Sequence, residues 1–127
     1  MPNYMHLIRD VDAEGGGQDY LLKNEIFGPG LSFKYFKTGN DPAAFFEKTV
    51  PFANDKIFGS LSCSVAIHPK SLSALGKENF DKYVCQLNWG TVGINVWAGF
   101  MPANPYGTWG APPGRHDGEL CKRENLE

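Results

Sequence analysis

Ser60-Leu61-Ser62-Cys63-Ser64-Val65-Ala66-Ile67-His68 is the stretch on which the fold turns. Leu61, Cys63, Val65 and Ile67 fall on one face, and Ser60, Ser62 and Ser64 fall on the other. A period of two marks a half-buried strand. Pro69 has no N–H to give to a ladder, so it ends the stretch. A strand is therefore expected over 60–68, with helices on either side.

Upstream, Asp41 suits a helix N-cap and Pro42 suits the first helical position. Ala44, Phe45 and Lys48 follow at helical spacings. A helix is expected from Pro42 to Val50, with Pro51 as its stop. Before it, Leu31, Phe33 and Tyr35 alternate with Ser32 and Lys34. That predicts a strand over 31–37, closed by Thr38-Gly39-Asn40. Downstream, a helix is expected between Ser71 and Leu87. Phe80, Tyr83, Val84 and Leu87 lie at i, i+3, i+4 and i+7, and Gly90 is the expected C-terminal cap. Thr91-Val92-Gly93-Ile94-Asn95-Val96-Trp97 reads as a third strand, short and rich in β-branched residues.

Strand–helix–strand–helix–strand over 31–97 predicts the α/β class, as a three-layer parallel βαβαβ unit with right-handed crossovers. Such a unit is thin. A parallel sheet needs both faces covered, and its edges expose backbone groups. The chain is thus expected to belong to a larger protein or to associate with copies of itself. The alternative is a small complete domain in which Tyr4-Met5-His6-Leu7-Ile8 closes one edge. The chain divides into a segment 1–30, the core 31–97, a Pro/Gly/aromatic loop 98–114 and a charged tail 115–127. The loop leaves the carboxyl end of the third strand, where open α/β sheets bind ligands. The loop is therefore the ligand-lining candidate, and its aromatics are Phe100, Tyr106 and Trp109.

The 127 residues amount to one domain or a piece of one. The net charge of −2 leaves no basic footprint for nucleic acid. No apolar run reaches the roughly 18 residues that a membrane helix needs. The first residues lack the basic and apolar regions of a signal peptide. The 3 cysteines are odd in number and widely spaced, which suits reduced thiols in a cytoplasmic chain. Cys63 lies on a strand, Cys85 in a helix and Cys121 in the tail, with no base paired to any of them. His6, His68 and His116 lack metal-ligand spacing. No catalytic residue and no metal site is assigned.

Asn24-Glu25-Ile26-Phe27-Gly28-Pro29-Gly30 carries a further signal. Taken alone, Glu25 is a loop carboxylate and Phe27 a core aromatic before a turn. Glu25-Ile26-Phe27-Gly28-Pro29, however, resembles a signature of the NAD(P)-dependent aldehyde dehydrogenases. Further matches follow in order: Asn54-Asp55 with Phe58-Gly59, then Gly90-Thr91-Val92-Gly93-Ile94-Asn95, then Pro105-Tyr106-Gly107. The resemblance implies an oxidoreductase that uses NAD or NADP to oxidise an aldehyde to an acid. By carry-over, Glu25 holds the ribose beside the nicotinamide and Phe27 supports the ring. Phe100 and Tyr106 line the aldehyde entrance, and Asn95 is a structural hydrogen-bonder.

The same resemblance places the cysteine nucleophile, the general-base glutamate and the dinucleotide-binding domain well upstream of Glu25. Only 24 residues precede it here. The expectation is therefore a C-terminal fragment of the catalytic domain, inactive alone and weak or silent toward NAD. A stand-alone oligomeric binding or assembly module derived from that fold is the alternative.

Overall fold

The described strands pair two by two. The computed structural model describes residues 6–9, 22, 24, 28, 30–105 and 110, in two units, Met1–Gly59 and Ser60–Glu127. In the first unit, β1 (His6–Arg9) runs parallel to β2 (Gly30–Phe33), with His6 opposite Gly30 and Arg9 opposite Phe33. In the second, β3 (Ser62–Val65) runs parallel to β4 (Thr91–Ile94), with Ser62 opposite Thr91 and Val65 opposite Ile94. Helices and parallel strands together are compatible with the general α/β class. The single three-strand sheet expected over 31–97 is corrected: the described residues form two two-stranded sheets. The ladder of β2 is taken by His6–Arg9, so the N-terminal apolar patch closes an edge, the role the alternative reading gives it.

In the first unit, α1 (Pro42–Asp55) starts as its sequence demands. Asp41 is extended, and its Oδ1 accepts the Ala43 N–H at 2.9 Å. That bond satisfies one of the donors a helix start leaves open. The helix does not stop at Pro51 but continues through it to Asp55. A proline inside a helix costs about 3 kcal/mol. The packing on either side of it offsets that cost. Phe46 and Val50 are buried four residues apart, and Phe52 meets Phe36 edge-on with centroids 5.2 Å apart. The Lys56 N–H then closes on the Phe52 carbonyl at 3.0 Å. The inward stripe is Phe46 and Val50, while Phe45 is exposed. The strand expected over 31–37 ends at Phe33, and Leu31 and Tyr35 are both exposed. Their alternation does not mark a buried face.

In the second unit, β3 keeps the expected alternation. Cys63 and Val65 are half-buried, and Ser62 and Ser64 are exposed. Before the ladder the pattern reverses, with Ser60 buried and Leu61 exposed, and after it Ile67 is buried as expected. The single helix expected between 71 and 87 is two helices, α2 (Pro69–Leu75) and α3 (Lys77–Val84). Gly76 parts them at φ 82, ψ 139, a conformation that side chains with a Cβ rarely adopt. His68 caps α2 by accepting the Lys70 N–H on Nδ1 at 3.1 Å. Phe80, Tyr83 and Val84 remain the inward side of α3.

Gly90 is not a helix cap, because α3 has already ended at Cys85. It allows a close backbone approach instead. Its N–H donates to the Ser60 carbonyl at 2.7 Å, and a Cβ there would run into the Gly110 carbonyl.

The carboxyl end of the β3–β4 pair is closed by Asn95. The strand expected to reach Trp97 ends at Ile94, because Asn95 turns left-handed at φ 54. Asparagine tolerates this better than most residues. The Asn95 N–H donates to the Val65 carbonyl at 2.8 Å. Its side chain then grips Ile67 at both backbone groups: Oδ1 accepts the N–H at 2.8 Å and Nδ2 donates to the carbonyl at 3.1 Å. A side-chain amide thus stands in for one more rung of ladder. Asn95 is the structural hydrogen-bonder that the sequence suggests.

Two stability predictions follow from these anchors. Asp41→Ala removes the cap of α1 and should lower unfolding free energy by about 1 kcal/mol in urea titrations. Asn95→Gly keeps the left-handed turn but loses both amide bonds, a loss of about 1–2 kcal/mol. Asn95→Ala should lose about 1 kcal/mol more, because alanine resists that backbone conformation. Equal losses for the two Asn95 variants would show that the backbone preference contributes nothing.

Candidate functional site

The strongest candidate is the turn that leaves β4 in the second unit. Trp97 is extended at φ −71, ψ 117, and a 3-10 turn spans Ala98–Ala103. Ala98 is buried, and its N–H donates to the Ser64 hydroxyl at 3.0 Å. The Phe100 N–H returns to the Trp97 carbonyl at 3.1 Å, and the Asn104 N–H to the Met101 carbonyl at 2.8 Å. The indole of Trp97 lies against Gly99, where any Cβ would collide with it. Gly99 is thus the residue that lets the ring fold onto the turn.

Trp97 and Phe100 meet edge to face, with centroids 5.1 Å apart and planes at 77°. Pairs in this geometry attract each other beyond simple area burial. Yet Trp97 is 66% and Phe100 63% exposed. Ile94 and Val96 beside them are exposed as well. Apolar area is usually spread thinly over a protein surface. Four such residues within seven positions are a local concentration of the kind that marks a contact surface.

The chemistry of this surface is apolar. Among the described residues, no group of three or more His, Cys, Asp or Glu could hold a metal ion. Cys63 is half-buried, and burial pushes its thiol up, which lowers the thiolate fraction at neutral pH. Cys85 is exposed. The Nδ1 of His68 is engaged in capping α2. The turn can therefore bind and orient an apolar group, while no described side chain on it offers a nucleophile or a base.

Of the residues singled out from sequence, Phe100 lies on this surface. Glu25, Phe27, Tyr106, Cys121 and His116 lie outside the described residues. Trp97 was assigned to the end of a strand and so missed as a surface residue. The signal that could have found it is Asn95, whose readiness to turn left-handed ends the ladder two residues earlier. Comparison of the chain with protein-family models, with curated proteins and with solved structures gives no match.

Proposed function

We propose that this chain is the C-terminal portion of the catalytic domain of an NAD(P)-dependent aldehyde dehydrogenase, and that the turn after β4 forms one apolar wall of the aldehyde entrance. The observation that carries this reading is the exposed Trp97–Phe100 pair, set at the carboxyl end of a parallel strand pair directly after Gly90–Asn95. Ligands in α/β folds gather at such ends. An aromatic wall suits the hydrocarbon part of an aldehyde.

In this proposal Glu25 accepts hydrogen bonds from the ribose hydroxyls of NAD or NADP, and Phe27 packs on the nicotinamide. Phe100 and Tyr106 face the aldehyde. The attacking cysteine, the general base and the dinucleotide-binding domain belong to the remainder of a longer polypeptide, so the chain alone is inactive. That remainder, or a second copy of the chain, covers the exposed apolar turn, in a cytoplasmic setting. An oligomeric binding module derived from the same fold is the second reading. The exposure of Leu31 and Tyr35 in the first unit favours it, since both would gain from burial against a copy.

The coding sequence before Met1 tests the first reading. An in-frame segment with a nucleotide-binding βαβ unit and a cysteine nucleophile is expected, and its absence overturns the proposal. In the longer polypeptide, Phe100→Ala should raise KM for an aliphatic aldehyde about 10-fold, as expected for about 1.4 kcal/mol of lost apolar contact. The kcat should stay within about twofold, because such contact stabilises ground state and transition state alike. The 127-residue chain alone should show no calorimetric NAD binding in the micromolar range. A fall in kcat with unchanged KM in Phe100→Ala would place the ring at the reacting carbon instead of along the wall.

A further inference from the structure

The turn that carries Trp97 and Phe100 is held from the neighbouring strand, at a place where the facing ladder residue has no side chain. Ser64 of β3 stands opposite Gly93 of β4. Paired residues in a ladder project to the same face of the sheet. Gly93 has no side chain there, and it is buried because the chain beyond Asn95 folds back over it. A Cβ on Gly93 would lie 2.7 Å from the Val96 carbonyl oxygen and 3.1 Å from the Ala98 nitrogen. The space left by the missing side chain is filled by the backbone of the turn itself. That brings the Ala98 N–H within 3.0 Å of the Ser64 hydroxyl oxygen.

We infer that Ser64 is a positioning residue for the aromatic turn, with Gly93 as the opening through which it acts. The Ser64 hydroxyl accepts the N–H of a buried residue that sits directly after Trp97 and two residues before Phe100. Ala98 has no other freedom: it is buried, and its neighbour Gly99 lies under the Trp97 ring. A shift of Ala98 therefore carries both rings with it. The hydrogen bond sets the angle at which the edge-to-face pair meets an incoming apolar chain. Position 64 becomes a determinant of specificity although its side chain has no need to touch the ligand. This inference rests on the aldehyde-wall reading above, and its test separates the two.

The full chain is labelled with 5-fluorotryptophan, and the Trp97 fluorine resonance is assigned by its loss in Trp97→Phe. In Ser64→Ala the Trp97 resonance should shift and broaden, while the Trp89 resonance stays in place. Ser64→Thr keeps a hydroxyl on the same carbon and should return the signal to its wild-type position. Gly93→Ala leaves the hydroxyl intact but pushes the turn away, so it should move the Trp97 resonance too. Far-UV circular dichroism confirms that each variant is folded. An unmoved Trp97 resonance in Ser64→Ala, or a Ser64→Thr spectrum identical to that of Ser64→Ala, overturns the inference. Octanamide, an unreactive relative of an aliphatic aldehyde, is then titrated into the wild-type chain. A ligand-dependent shift at Trp97 that weakens several-fold in Ser64→Ala supports both steps. The absence of any shift in the wild type removes the wall reading, and the role of Ser64 in setting the turn is still decided by the variant spectra.

Discussion

The bidentate grip of Asn95 on Ile67 is the constraint from which the second unit follows. A parallel pair of four residues a side is a short ladder, and parallel pairing is the weaker kind per residue. Its carboxyl end would fray without a closing contact. Asn95 supplies that contact with a side-chain amide, which offers a donor and an acceptor at once. Because the amide reaches the other strand, the Asn95 backbone is free to leave the ladder. It does so through a left-handed turn, and everything beyond it takes its direction from there. His68, one residue past the gripped Ile67, is then placed to cap α2. One asparagine thus fixes the exit of both strands.

Glycines govern the same unit by what they leave out. Gly76 divides a helix, Gly90 admits a backbone carbonyl, Gly93 admits the returning turn and Gly99 admits an indole. At Gly90, Gly93 and Gly99 a Cβ would collide with what lies there, and at Gly76 the backbone angle disfavours one. The first unit is held differently. There Phe36, Phe45, Phe46 and Phe52 form a chain of edge-on contacts around α1. That packing holds a helix through an internal proline. Side-chain packing dominates one unit, and close backbone approach dominates the other.

This contrast explains what was legible in the sequence. The core of β3 was readable because Cys63 and Val65 alternate with serines inside a real ladder. The start of α1 was readable because Asp41-Pro42 is local chemistry. Three things were not. Pro51 looked like a stop, and only the burial of Phe46 and Val50 shows why it is not one. Gly76 looked like any glycine between helical residues, and nothing in periodicity tells a tolerated glycine from a hinge. The N-terminal patch reads as an edge-closing strand, but its pairing is non-local and no pattern in it names β2 as the partner. Of the candidate site, Phe100 was legible as an aromatic after the last strand. Trp97 and Ser64 were not, because their roles depend on where Asn95 ends the ladder.

A surface such as Trp97–Phe100 poses an energetic question of its own. Two large aromatic rings left mostly in water forgo a few kcal/mol of burial that the same chain obtains elsewhere. A folded domain of this size has little stability to spare. The turn is nevertheless held by two restraints, the Asn95 grip and the Ser64 hydroxyl, the second made possible by the space left at Gly93. Together they resist the collapse that would hide the rings. A turn kept open against its own hydrophobic tendency is consistent with the proposal that another surface covers it. The surroundings set the chemistry of that contact. A half-buried thiol with a raised pKa and a histidine nitrogen already engaged bring no reactive group to the rings. In the proposed function, what meets them is recognised by shape and apolar area, and bond-making belongs to the remainder of the longer polypeptide.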